Sequence, residues 1–261
     1  MAAAAVTTAV VVHVVRGPKY HDTRGATIVR FTQHSRLLGR NLHDVLILPA
    51  GGGRGRPLLA FLHGRGASSG SYVDQHLFDG LRALGPRAPV VFFPDGGDHS
   101  YWHDRSDGRW GTAVLGEAIP GALARSHADR KRLAIGGISM GGFGALDLAR
   151  LAPLRFCAVG AHSAALWTDG GQTPSGAFDD AADFARHDLI RFAREHTLVG
   201  VPVWMDVGRD DPFEHADTIL ADELRAHGVH VTFQLHGGGH SGWSGRMPEY
   251  LRWYANALAR C

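Results

Sequence analysis

Cysteine and lysine are the scarce residues of this 261-residue chain, which has two of the first, Cys157 and Cys261, and two of the second, Lys19 and Lys131. Two cysteines cannot build the disulfide framework of a small secreted domain. Cys157 lies in an apolar strand-like segment and Cys261 is the last residue, so both read as free thiols in a reducing compartment, which makes a cytoplasmic protein the expectation. The net charge of +2 is spread without any basic block, which argues against nucleic acid and anionic membrane as partners. No segment approaches the ~20 consecutive apolar residues of a membrane-spanning helix. There is no internal repeat and no Walker lysine. Gly64-x-Gly66 and Gly136-Gly137 do not complete a dinucleotide fingerprint, so no cofactor is expected.

What is present is a 44% hydrophobic composition and 35 glycines, enough apolar residue for a real core and many tight turns. Residues 2 to 15 are rich in Ala, Val and Thr. No basic residue precedes this run, no clear cleavage site follows and His13 interrupts it, so residues 1–25 read as an N-terminal extension or edge strand rather than a signal peptide. From residue 26 to 261 the chain reads as one α/β domain. Strands are expected at Ala26 to Phe31, Asp44 to Leu48, Leu58 to Leu62, Pro89 to Phe93, Arg132 to Ile138, Phe156 to Ala161, Val201 to Val207 and Val229 to Leu235. Helices are expected at Tyr72 to Leu84, Thr112 to Ser126, Gly141 to Leu151, Asp179 to Glu195, Phe213 to His227 and Pro248 to Arg260. These imply a mainly parallel sheet of about eight strands covered on both faces. The first two strands leave no room for a helix between them and should pair antiparallel at an edge. The polar, broken stretch from Ser163 to Phe178 opens a small cap insertion around 163–195.

The most informative passage is Gly137-Ile138-Ser139-Met140-Gly141, with an apolar strand before it and a helix-like stretch after it. That context is a nucleophile elbow, in which a sharp turn lifts a serine clear of the sheet. Serine is a poor nucleophile at neutral pH, so Ser139 needs a histidine base and a carboxylate that holds the base in one tautomer. The chain order should be serine, acid, histidine. After the strand Val203 to Val207 comes Gly208-Arg209-Asp210-Asp211-Pro212, where Asp211 is the expected acid, with Asp210 as its main rival and Asp206 inside the strand. The last strand opens into His236-Gly-Gly-Gly-His240, where His240 is the expected base and His236 reads as strand-terminal. Asp211 also suits a helix N-cap. The oxyanion needs two amide donors: Met140 supplies one by position, and the loop His63-Gly64-Arg65-Gly66 the other, with Arg65 favoured and Gly64 or Gly66 as alternates.

The run Ile135-Gly-Gly-Ile-Ser-Met-Gly-Gly-Phe-Gly-Ala-Leu146 closely resembles the elbow of the putative-esterase branch of the α/β-hydrolases, which includes esterase D and the mycolyltransferases. Pro94-Asp-Gly with Ser100-Tyr101, Gly116-Glu-Ala-Ile-Pro120 and Gly208-Arg-Asp-Asp-Pro212 resemble further pieces of that branch, in order. The match runs from about Ala26 to the C-terminus; residues 1 to about 25 match nothing. It implies the α/β-hydrolase fold and cofactor-free serine hydrolysis of carboxylic esters, and it marks Ser139, Asp211 and His240. Mycolyltransferases are secreted and use a glutamate as the acid, whereas this loop carries aspartates, so a transferase of that kind is not expected.

Trp102, Trp167 and Trp243 each lie in a loop after a strand and are candidates for lining the substrate pocket. The expected partner is a small-molecule ester, with no nucleic acid and no membrane; the oligomeric state is not legible. The same residues could cleave thioesters or amides or transfer acyl groups, and a hydrolase scaffold can also serve as a noncatalytic binding module. His99-x-x-x-His103 and His236-x-x-x-His240 have some metal-ligand character, but neither contains a helical His-Glu-x-x-His, so no metal is expected.

Overall fold

Strand β3 (Leu58–Leu62) is Leu-Leu-Ala-Phe-Leu, buried at every position. Leu58, Ala60 and Leu62 enter one apolar cluster and Leu59 and Phe61 another. A strand with no polar face belongs in the middle of a sheet that helices cover on both sides. The computed structural model describes residues 20–261. The signal-like run at 2–15 and most of the expected N-terminal extension lie outside the described residues. Of its remainder, Tyr20 packs edge-on against Phe78 at 5.0 Å and Arg24 pairs with Asp79 at 2.7 Å.

Eight strands form the sheet: β1 (Thr27–Ser35), β2 (Arg40–Leu48), β3, β4 (Val90–Phe93), β5 (Leu133–Ile138), β6 (Ala158–His162), β7 (Val203–Gly208) and β8 (Val231–His236). Their order is β1-β2-β4-β3-β5-β6-β7-β8. β2 runs antiparallel to both β1 and β4, and the other neighbouring pairs are parallel. One face is covered by α1 (Gln75–Leu84) and α7 (Trp243–Leu258). The other is covered by a helix over 110–126 containing a π turn at Val114–Ala118, by α3 (Met140–Leu151) and by α6 (Glu214–Ala226). Gly136 and Gly160 are register partners, and a Cβ on either would collide with the Tyr254 hydroxyl, so these two glycines make the slot that seats α7.

The excursion between β6 and β7 departs from the single helix expected at 179–195. It contains two short helices, α4 (Ala181–Arg186) and α5 (Leu189–Glu195). The break follows from side-chain chemistry: Asp180 accepts from the Asp183 amide and Asp188 from the Arg191 amide, so each helix has its own N-cap. The last helix begins at Trp243 rather than Pro248, because Gly242 at φ 86° ends the preceding loop and Pro248 is accommodated within the helix. A two-stranded ribbon, Asp104–Arg105 with Gly108–Arg109, was not expected from the sequence. No helix among the described residues is long and apolar enough to cross a membrane.

One expectation is corrected. Cys157 and Cys261 are not free thiols but a disulfide, with Cα atoms 5.8 Å apart across a sequence separation of 104. Cys157 stands at the amino end of β6, and α7 carries the C-terminus back to that end of the sheet. The free-thiol argument for a reducing compartment is thereby withdrawn. A loop of this length predicts that protein isolated without reductant shows no thiol in a denatured Ellman titration and two after reduction. Reduction should cost about 2–5 kcal/mol, read as a lower melting temperature. An unchanged melting temperature would contradict the stabilising role.

Candidate active site

Ser139 stands between β5 and α3 with φ 56° and ψ −116°, a conformation that non-glycine residues rarely hold and that costs of order 1–3 kcal/mol. Three backbone bonds hold it there. Its N–H donates to the His162 carbonyl at 2.9 Å, and its own carbonyl accepts from Phe143 at 3.1 Å and Ala165 at 3.0 Å. The flanking glycines are needed for space: a Cβ on Gly137 would lie 2.5 Å from the Gly141 carbonyl, and one on Gly141 would strike the Leu62 carbonyl.

The parallel pair β7 and β8 brings the next two residues together. The Arg209 amide donates to His236 O at 2.9 Å and the Asp210 amide to Gly238 O at 3.1 Å, so the loops after the two strands run side by side. Gly208 permits this approach, because a Cβ there would collide with the Gly238 carbonyl. His240 then sits with Nε2 2.9 Å from Ser139 Oγ and Nδ1 2.9 Å from Asp211 Oδ2. Its ring is flanked edge-on by Phe213 at 5.2 Å and Trp243 at 4.9 Å.

The Asp211 side chain is fully buried and its other oxygen accepts from the Phe213 amide at 3.0 Å. Burial works to raise its carboxyl, but the bonds from His240, the Phe213 amide and the Ser163 hydroxyl hold it below the ordinary carboxylate value, so it is ionised at neutral pH. The helix-cap reading of Asp211 and the His240 contact thus coexist, one on each oxygen. Asp210 is exposed. Asp206 is committed elsewhere, to His162 Nδ1 at 2.6 Å, Tyr250 at 2.9 Å and Arg246 at 2.9 Å. His236 ends β8 with Nε2 4.0 Å from Asp206 and makes no contact with Ser139.

The loop after β3 lies against the elbow: a Cβ on Gly64 would be 3.4 Å from Ser139 Cβ. The Gly66 amide is used on Asp98 O at 3.0 Å, which removes that alternate as a donor. His63, which the sequence reading passed over, braces the loop. Its Nδ1–H donates to Gly64 O at 2.9 Å and its Nε2 accepts from the Gly96 amide at 3.1 Å. Burial keeps this imidazole below its ordinary pKa, in the neutral form both bonds require. Its position between an apolar strand and Gly64-x-Gly66 was the available signal. Tyr72 bonds the Gly64 backbone from the other side, and burial pushes its hydroxyl up to about 12. Met140 opens α3, so its amide is among those a helix start leaves free.

Ser163 and Asp217 were also missed. Trp243 Nε1 donates to Ser163 Oγ at 3.2 Å, and the buried Asp217 accepts from the Ala164 amide at 3.2 Å. Burial pushes the Asp217 carboxyl well above its ordinary value.

The three tryptophans part company. Trp102 is not a pocket residue: it has no exposed surface and its Nε1–H donates to His63 O at 3.1 Å. Its ring lies where Gly96 and Gly144 have no Cβ, a Cβ on Gly144 coming within 2.7 Å of it. Trp243 stays beside His240. Trp167 is half-buried, with its ring tilted against Tyr101 at 5.7 Å and edge-on to Phe213 at 5.6 Å. It lines a hollow of about 380 Å³ with Leu166, Gln172, Pro212 and Phe213.

Comparison with known proteins follows the same lines. The family described as "Putative esterase" matches residues 35–236. Esterases Rv1288 and MT1326 of Mycobacterium tuberculosis are each 30% identical over 181 residues, 64% of this chain and 37% of theirs, so the chain spans little more than a third of the length of these curated relatives. A solved ferulic acid esterase superposes with a TM-score of 0.76 at 22% identity, covering 89% of this chain and 98% of that one. An S-formylglutathione hydrolase from Agrobacterium tumefaciens gives 0.75 at 19% identity, over 91% and 98%. The fluorophosphonate-binding serine hydrolase FphF of Staphylococcus aureus gives 0.70 at 19%, over 92% and 100%.

Proposed function

The chain belongs to the putative-esterase family and has the α/β-hydrolase fold, and from that premise we propose that it hydrolyses small-molecule carboxylic esters through an acyl-enzyme on Ser139. Ser139 Oγ attacks the ester carbonyl while His240 Nε2 takes its proton. The ionised Asp211 stabilises the imidazolium, and the amides of Met140 and Arg65 receive the developing oxyanion. His240 returns the proton to the leaving alkoxide; water then repeats the sequence and releases the acid. The observation that carries this reading is the unbroken line of hydrogen bonds from Ser139 through His240 to Asp211, at 2.9 Å each. Trp167, Trp243 and Phe213 form the apolar wall that receives the substrate, and the excursion at 163–195 serves as a small cap in a domain running from 26 to 261.

The test is a comparison of matched acetyl ester, acetyl thioester and acetanilide. The ester is expected to turn over with kcat/KM well above the anilide. Turnover confined to the thioester or anilide, or none at all, would overturn ester hydrolysis. Nothing in the arrangement favours a noncatalytic reading, since a binding module has no need of a strained serine held against an imidazole backed by a buried carboxylate.

A further inference from the structure

Beside α3, whose Asp147 contacts His187, three side chains from two segments converge. His103 comes from the loop after β4, and Asp183 and His187 come from α4 and its C-terminal end. His103 and Asp183 have no exposed surface and His187 is 8% exposed. One ligand atom from each lies within 4.8 Å of the other two. His103 Nε2 is 3.1 Å from Asp183 Oδ2, and His187 Nε2 is 3.8 Å from Asp183 Oδ1. We propose that His103, Asp183 and His187 form a binding site for a divalent transition-metal ion, zinc above all, which fastens the 163–195 excursion to the body of the protein.

The donor set suits the ion: two imidazole nitrogens and a carboxylate oxygen are ordinary zinc ligands. At ligand distances of about 2.0–2.2 Å, tetrahedral donors stand about 3.3–3.6 Å apart. The observed 3.1 and 3.8 Å run to the two different oxygens of Asp183, and one ligand atom from each of the three residues already lies within 4.8 Å of the others, so the side chains need only draw together around the ion.

The surroundings are those of a metal-binding imidazole. His187 donates its other nitrogen, Nδ1, to Asp147 Oδ2 at 2.8 Å, and Asp147 is itself held by Arg150 at 2.6 Å. A carboxylate on the far nitrogen fixes which nitrogen faces the ion and raises its basicity. Asp183 also accepts from the Asp179 amide at 2.9 Å, which holds the carboxylate in place. His103 Nδ1 is buried without a hydrogen-bond partner among the described residues.

One cation already competes. Arg186 reaches Asp183 Oδ1 at 3.0 Å, but its side chain is 63% exposed and can turn into solvent when an ion arrives. The site lies apart from the Ser139 line, so its occupancy bears on the attachment of the excursion and the test does not depend on ester hydrolysis.

The test is zinc titration of the intact, EDTA-stripped protein by calorimetry, with thermal melts at each ratio. One equivalent is expected to bind saturably at micromolar zinc and to raise the melting temperature. His103→Gln and His187→Gln should each lose that equivalent and the thermal shift. Asp147→Asn should weaken binding by about 10–100-fold. Should a glutamine variant fail to fold, Asp147→Asn and direct metal analysis of the wild type carry the test. No saturable binding by the folded wild type would overturn the proposal, as would undiminished binding in folded His103→Gln and His187→Gln, which would locate the ion on other histidines.

Discussion

Ser139→Ala is expected to lower kcat for p-nitrophenyl acetate by about five to six orders of magnitude, the size of effect seen when a triad nucleophile is lost. The protein should stay folded. Serine and alanine share a Cβ, so the backbone at φ 56° meets the same steric demand in both, and the three backbone bonds that hold position 139 remain. The variant should therefore melt within a degree or two of the wild type. Wild-type turnover by this variant would end the account of the site.

Asp211→Asn is expected to lower kcat by about 10⁴-fold with little change in KM, and the reason lies in the bonds of this particular carboxylate. Oδ1 accepts from the Phe213 amide at 3.0 Å and Oδ2 accepts from His240 Nδ1 at 2.9 Å. An asparagine has one oxygen to offer, and the Phe213 N–H selects it. The amide NH₂ then faces His240 Nδ1 and forces the ring proton onto Nε2, where it meets Ser139 Oγ and cannot accept a proton from it. Asp210→Asn, on an exposed side chain one residue earlier, should leave kcat within about twofold of wild type, as surface substitutions away from the chemistry do. Equal losses in the two variants would contradict this division of roles.

The sheet was largely legible in the sequence. Each expected strand overlaps an observed one, because central strands are short, mostly apolar runs set off by turn residues. The antiparallel edge followed from the lack of room between the first two strands. What the sequence hid was contact between distant segments. Cys157 and Cys261 meet only because α7 returns the chain to the amino end of β6. Trp102 occupies the usual place of a pocket residue, after a strand and in a loop, yet Gly96 and Gly144 leave the space that draws its ring inside. His103 was weighed with His99 as an i, i+4 pair. The structure leaves His99 beside Asp98 at 3.6 Å and gives His103 a partner 80 residues onward. The break between α4 and α5 was readable in principle, since Asp188 is a strong N-cap residue in the middle of the expected helix.

The account rests on Ser139 being a nucleophile activated by His240, and covalent labelling with a fluorophosphonate probe tests that most directly. The account predicts one adduct per folded chain, mapped to the peptide bearing Ser139 and abolished by His240→Ala. A folded protein that takes no label, or takes it on another serine while Ser139 stays unmodified, would contradict it.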